Sequence, residues 1–281
     1  MSARKGEKIA FALLSICGII VVIPIFAIIL LLLVKGLPAI SMQFLFGMKG
    51  MNDGVDSIFP AIIGTIYLVL VALVVAVPLG ISGAIYLSEF AANNALTRFI
   101  KLSIVNLAGV PSVVYGLFGM GLFVIFLHFG TSILSGGLTL AFLVLPVIIT
   151  SSEEALKTVP ISFREAALAL GATKMQAIRR VVLPNALPGM LTGSILGVSR
   201  AAGETAPILF TVAAFFLPRL PHSIFDQVMA LPYHLFIIST QVPNVEEKYK
   251  YGTALVLVFL VFGMNILAII IRNKFRKARK W

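Results

Sequence analysis

Charge is what this 281-residue chain most lacks: Asp, Glu, Lys and Arg make up 12% of it, against 59% hydrophobic residues. A soluble domain carries about 25% charged residues, enough to cover its surface. That shortage excludes a soluble globular protein, a disordered chain and a charged coiled coil. Cysteine is nearly absent too. Cys17 stands alone, so there is no internal disulfide and no disulfide scaffold, and cysteine usage says nothing of the compartment. No Gly-x-x-x-x-Gly-Lys-[Ser/Thr] phosphate loop occurs, which removes the usual backbone cradle for ATP. His128, His222 and His234 have no metal-ligand spacing, so no metal site is expected, and no Ser/His/Asp set can be argued. No inverted repeat of the secondary-transporter kind stands out. The composition that remains is that of a polytopic helical membrane protein. If it drives transport, its energy comes from another chain.

A bilayer span needs about 20 mostly apolar residues. Residues 9–34 and 57–88 are uncharged, and 251–271 is a clean apolar run. Residues 102–152 are too long for one helix, and the small, turn-forming cluster at 128–137 predicts a break between two. Residues 185–218 form a fifth segment, interrupted only by Arg200 and Glu204. In 219–240, Pro221, His222, Asp226 and Pro232 predict an extramembrane loop with an interfacial helix. The fold class is therefore all-α, with six transmembrane helices in one membrane domain, 1–281. The first span is too long for a signal h-region and lacks a good cleavage site, so it is expected to stay in the mature chain.

The net charge of +11 suggests nucleic acid until its distribution is read. Arg4, Lys5, Lys8, Arg98, Lys101, Lys157, Arg164, Lys174, Arg179, Arg180, Arg272, Lys274, Arg276, Lys277, Arg279 and Lys280 all fall on one side of a six-span topology. Lys35, Lys49, Arg219, Lys248 and Lys250 fall on the other, and Arg200 lies within a span. The positive-inside rule then puts both termini in the cytoplasm, with the basic tail 272–281 beside the lipid bilayer. No nucleic-acid partner is expected.

The cytoplasmic loop 152–184 is long and helix-prone. Pro160 can start a helix through Glu165-Ala166-Ala167, and Gly171 can end it in a left-handed cap. A second short helix is expected to reach Arg180, with Pro184 opening the next span. The pattern Glu165-Ala166-Ala167, three residues, Gly171, nine residues, Val181-x-Leu183-Pro184 resembles the EAA motif of ABC importer permeases, with valine where isoleucine is commoner. The resemblance implies that Glu165, Ala166, Ala167 and Gly171 belong to a coupling helix that docks into a separate ATPase subunit.

Arg200 and Glu204 are four residues apart and share a helix face. Charges inside a span are costly and point to function by default. Gly189, Gly193, Gly197 and Ala201 form a small-residue stripe on the same helix that permits close helix approach. Pro207 frees the carbonyl of Gly203 and loosens the helix there. Two readings stand. The pair only pins helix packing, or Arg200 offers its planar fork to phosphate or carboxylate oxygens while Glu204 holds it. In span three, Pro111, Gly116, Gly119 and Gly121 either allow tight crossing or shape a path onto which Ser112 and Tyr115 present hydroxyls. Pro78 is expected to be a kink.

The run Arg200-Ala201-Ala202-Gly203-Glu204-Thr205-Ala206-Pro207-Ile208-Leu209-Phe210-Thr211 resembles the signature of the PstA permeases of the phosphate-specific ABC importer. Gly109-Val110-Pro111-Ser112-Val113-Val114-Tyr115-Gly116-Leu117-Phe118-Gly119 and Pro78-Leu79-Gly80-Ile81 with Ala84-Ile85-Tyr86-Leu87 are similar to that family too, and the likeness covers about 55–271. It implies the type I ABC importer permease fold, a pathway using Arg200, Glu204 and Thr205, and no catalytic residue in this chain. The implied partners are a PstC-like second permease, a PstB-like ATPase pair holding ATP and Mg2+, and a PstS-like extracytoplasmic phosphate-binding protein meeting the loops 35–56 and 219–250. Sulfate, molybdate or phosphonate would be the alternative substrates. A self-sufficient secondary carrier and a regulatory scaffold are the alternative classes.

Overall fold

The computed structural model describes residues 3–47, 57–214, 217 and 219–277. Lys49 with residues 48–56 of the 35–56 loop, Pro218 at the expected end of span five, and Arg279 and Lys280 of the tail lie outside the described residues.

Among the described residues five helices are long and apolar enough to cross a membrane, or six when one bent pair is a single span. α1 (Ala3–Gly36) holds Pro24 and presents apolar side chains outward over most of Phe11–Val34, as a lipid-facing helix does. A serine cap starts the short α2 (Met42–Phe46). α3 (Phe59–Ile85) contains Pro78 and runs on through a wide π turn at Tyr86–Phe90.

The third span departs from a simple helix. α4 (Ala95–Ala108) and α5 (Ser112–Gly119, continued to Phe126) meet at 104°. Pro111 brings no N–H to the ladder and forces an extended conformation at the junction. Gly109 and Val110 close the turn by donating to Asn106 and Leu107.

The expected break at 128–137 is shorter than its composition implies. His128 and Gly130 take positive φ and turn the chain. Ser132 then caps α6 (Ile133–Lys157), so Gly136 and Gly137 lie inside that helix. They serve packing: a Cβ on Gly136 would meet Val212 at 2.6 Å, and one on Gly137 would strike Val71.

α6 is the central helix, two-thirds buried, with α3 and α9 (Leu183–Gly203) packed on it. It also runs to Lys157, past the expected start of the 152–184 loop. α7 (Ile161–Ala169) begins after Pro160 as expected. The second expectation there fails. α8 (Lys174–Ala177) does not stop before Pro184. It passes through a wide turn at Ile178–Val182 directly into α9, giving one 30-residue helix, Lys174–Gly203. A π turn takes up the irregularity that a proline imposes on the ladder behind it.

Span five ends at Gly203, and α10 (Ala206–Thr211) follows. The chain then returns: Ala213 pairs with Val228, and Ala214 donates to the Val228 carbonyl. α11 (Leu231–Thr240) is too short to span. It is not an exposed interfacial helix either. Leu231, Tyr233, His234, Ile237 and Ile238 are buried, and the Leu231 N–H donates to the Thr65 hydroxyl of α3 at 2.8 Å. Where Gly64 of α3 meets the Met229 carbonyl, there is no room for a side chain. α12 (Glu247–Lys277) closes the bundle antiparallel to α1, with Gly36 against Tyr251 and Lys35 paired to Glu247 at 3.2 Å.

The opposite, basic end of the bundle gathers Lys101, Lys157 and Arg164 with Glu89 and Glu153.

Burial gives His234 a measurable signature. Both ring nitrogens lack a hydrogen-bond partner among the described residues, and desolvation pushes its pKa from 6.5 down to about 4. Between those values the unfolded chain binds a proton that the folded chain does not. Stability therefore rises with pH across the window and falls as the pH drops through it, by about 3 kcal/mol in full. The thermal midpoint of the detergent-solubilised protein is expected to fall between pH 7 and 4.5, and His234→Leu to flatten that fall. Equal acid sensitivity in both proteins would contradict the assignment.

Candidate pathway site and coupling loop

The site forms where α9 stops. Glu204 has extended backbone (φ −74°, ψ 136°), and Pro207 at the start of α10 has no N–H to extend the ladder from α9. Arg200 sits in the last turn of α9, where the negative end of the helix dipole favours a cation. Its Nε lies 3.5 Å from Glu204 Oε1. The arginine side chain is 33% exposed and the glutamate 15%. This is one long contact and not a bidentate fork. No other hydrogen bond or ion pair engages Arg200 among the described residues, so most of its five donors stay available. Thr205 precedes α10, and its side chain caps nothing.

The small-residue stripe faces α6. A Cβ on Gly189 would come 2.6 Å from Ala155 Cβ, one on Gly193 would overlap Ser151, and one on Gly197 would sit 3.3 Å from Ile148 Cδ1. Ala201 is buried in the same core. Arg200 lies beside this seam, so α6 sets the rotation of the helix that carries it.

α5 meets the far side of the break. A Cβ on Gly116 would reach Pro207 Cα at 3.0 Å and the Ala206 carbonyl at 3.1 Å, two to three residues beyond Glu204. Gly119 abuts Thr139, whereas Gly121 has nothing within 4 Å and plays no part in the crossing. The two candidate hydroxyls differ. Tyr115 is buried, and its hydroxyl donates to the Leu107 carbonyl at 2.9 Å, pinning the bend between α4 and α5. Ser112, at the first turn of α5, is half-buried, and its hydroxyl makes no hydrogen bond among the described residues.

A polar seam that sequence reasoning overlooked runs along the α9–α12 contact. The Ser199 hydroxyl donates to Asn265 Oδ1 at 2.6 Å, and Arg272 Nη1 donates to Thr192 Oγ1 at 3.3 Å. Both pairs are seven residues apart on each helix, the repeat of an antiparallel helix contact. The signal was present as an asparagine in an otherwise apolar span. Ser199 immediately precedes Arg200, so this seam also bears on how Arg200 is presented.

At the basic end, α7 closes in a Schellman turn. Gly171 has φ +84°, its N–H donates to Leu168 O, and the Ala172 N–H donates to Ala167 O. Thr173 and Gln176 then form a reciprocal capping box that starts α8. Glu165 and Ala166 are exposed, and Ala167 is half-buried. The loop also exposes Ile161, Leu168, Met175 and above all Leu170, at 89%. These apolar side chains, and not the alanines alone, make the loop surface a candidate docking face.

Known proteins bear on both regions. Residues 76–280 match the family model of the binding-protein-dependent transport system inner membrane component. The chain is 33% identical to the probable phosphate transport system permease protein PstA of Methanocaldococcus jannaschii, over 92% of this chain and 91% of that one. It is 30% identical to the probable ABC transporter permease protein YqgI of Bacillus subtilis, over 95% of each. The fold is shared with a chain of the MetNI methionine ABC transporter in an inward-facing conformation, with a TM-score of 0.59, 18% identity, and 78% of this chain and 94% of that one covered. The six-span, all-α expectation therefore stands, with the third span bent. This multi-pass membrane protein belongs to the family of binding-protein-dependent transport system inner membrane components, as an ABC transporter permease subunit.

Proposed function

We propose that this chain is the PstA-type permease of an ATP-driven phosphate importer in the cytoplasmic membrane of a prokaryote, with both termini in the cytoplasm. The observation that carries the reading is the guanidinium of Arg200, held by a single contact to Glu204 at a helix break, with most of its donors uncommitted. A planar set of N–H donors fits the tetrahedral oxygens of phosphate. Glu204 favours an oxyanion that still carries a proton, because a carboxylate repels a fully ionised one and can accept from its hydroxyl. Thr205 and Ser112, at the two meeting half-helices, supply further hydroxyls. The relationship to the archaeal phosphate permease supports the choice of substrate.

In this reading a second permease completes the pathway and an extracytoplasmic binding protein delivers phosphate. A pair of ATPase subunits, holding ATP and Mg2+, docks on the face made by α7, the Gly171 turn and α8. Purification of the detergent-solubilised chain should bring down the ATPase. Labelled phosphate uptake, in cells lacking other phosphate carriers, should resist competition by sulfate. Transport by this chain alone down an ion gradient would overturn the reading.

Gly171→Val tests the docking face without touching the span. Nothing lies within 4 Å of Gly171, so the penalty is conformational, on the order of 1 kcal/mol or more for a β-branched residue at positive φ. The variant is expected to insert normally but retain less ATPase on purification and transport less phosphate. Normal uptake at normal expression would refute the role of the turn.

A further inference from the structure

We infer that Arg164 and Glu89 form a latch that makes α3 and α6 move with the coupling loop; the inference rests on the docking reading above. Arg164 immediately precedes the Glu165-Ala166-Ala167 run, yet its side chain turns away from the loop's exposed face. Nη1 donates to the Val159 carbonyl at 2.7 Å. Nη2 donates to the Leu156 carbonyl at 3.0 Å and to Glu89 Oε1 at 2.7 Å. Leu156 and Val159 bracket the C-terminus of α6, where a cation meets unpaired carbonyls and the negative end of the helix dipole. Glu89 lies in the π turn that ends α3. One guanidinium therefore joins three elements: α7, the end of α6 and the end of α3. The pair is largely enclosed, with side chains 22% and 9% exposed, so water screens it less than a surface ion pair.

A second contact converges on the same turn. Lys174, which opens α8, holds its ammonium 5.1 Å from the centroid of the Phe90 ring. Both helices of the loop are thus tied to adjacent residues at the end of α3. Their routes into the membrane differ. α8 continues as one helix to Arg200, so a push on the loop reaches the site along α9 directly. α3 has no such continuity with the loop, and α6 meets it only through the short link 158–160 before α7, so side-chain contacts at this end decide how closely both follow α8. Farther in, close packing keeps the three together: Gly80 of α3 sits against Ile148 of α6, and Gly193 of α9 against Ser151. With the latch closed, the loop drives α3, α6 and α9 as one body. With it open, α7 and α8 lose their hold on the ends of α3 and α6, and the loop slips against the packed core.

Arg164 and Glu89 are positioning residues in this account; neither touches substrate. The test uses the full chain with its second permease and ATPase in lipid vesicles, reading labelled phosphate uptake and ATP hydrolysis in one preparation. Glu89→Gln keeps the shape and the α6 caps but removes the charge that draws α3 in. It is expected to retain the ATPase while phosphate moved per ATP falls at least about fivefold, the lower end of measured coupling between sites. Arg164→Lys keeps the charge for Glu89 and should show a smaller fall. An unchanged ratio, or uptake and hydrolysis falling together, makes the pair merely structural and overturns the latch. Loss of the ATPase from the Glu89→Gln complex also overturns it, by making the pair part of docking. Failure of the unaltered chain to hold an ATPase, or to move phosphate when that ATPase hydrolyses ATP, would instead strike the functional reading itself.

Discussion

Arg200→Met/Glu204→Leu is expected to insert, to assemble with its ATPase, and to lose phosphate uptake by roughly 100-fold, the equivalent of two charge-assisted hydrogen bonds at about 1.5 kcal/mol each. The two readings of the pair differ in what they require. If the two charges only pin the end of α9, replacing both by apolar groups removes the interaction and its desolvation cost together, and the helix tolerates it. If Arg200 meets the permeating oxyanion, no apolar pair can replace it. The geometry favours the second outcome, because a single 3.5 Å contact is a weak pin and leaves the fork open. Arg200→Lys should fall between, since an ammonium keeps the charge but loses the two-pronged geometry. Near-normal uptake by the double variant, with the ATPase still bound, would leave only the packing role.

Gly193→Leu is expected to prevent accumulation of folded protein in the membrane. The Cβ alone would overlap the Ser151 side chain, with its Cβ at 2.6 Å, and α6 is itself packed closely against α3, which resists its displacement. Overfilling a close-packed contact costs about 1–3 kcal/mol for even modest additions, and a leucine adds far more. The neighbours grade the prediction. Gly189→Ala meets Ala155 Cβ at 2.6 Å and should destabilise clearly. Gly197→Ala meets the flexible end of Ile148 at 3.3 Å, with Val144 Cβ at an ordinary 3.6 Å, and should be tolerated. Gly121→Ala meets nothing and should be silent. Thermal midpoints of the detergent-solubilised variants would rank them. A flat ranking would mean that the seam is not tightly packed.

Much of this architecture is legible in the amino-acid sequence because it rests on local physics. Moving about twenty apolar residues into lipid is favourable wherever they lie in the chain, so the spans follow from composition. The Gly171 turn is legible for a similar reason: a left-handed cap needs only the residue itself and the helix behind it. The Arg200–Glu204 pair stands out because two charges in a span demand an explanation whatever surrounds them. Tertiary structure alone decides the rest. Gly136 and Gly137 read as a turn, yet they are helical, because Val212, Leu68 and Val71 leave no space for side chains there. Pro184 reads as a helix start, yet the wide turn behind it lets α8 run straight to Arg200. Pro111 announces a break, but its 104° angle is pinned by Tyr115 reaching back to Leu107. Asn265 signals only that an apolar span holds a polar group, not what it meets, and Glu89 carries no signal on its own. Their partners, Ser199 and Arg164, lie 66 and 75 residues away, and only the packing of α12 on α9 and of α7 on the end of α3 brings them within hydrogen-bond distance.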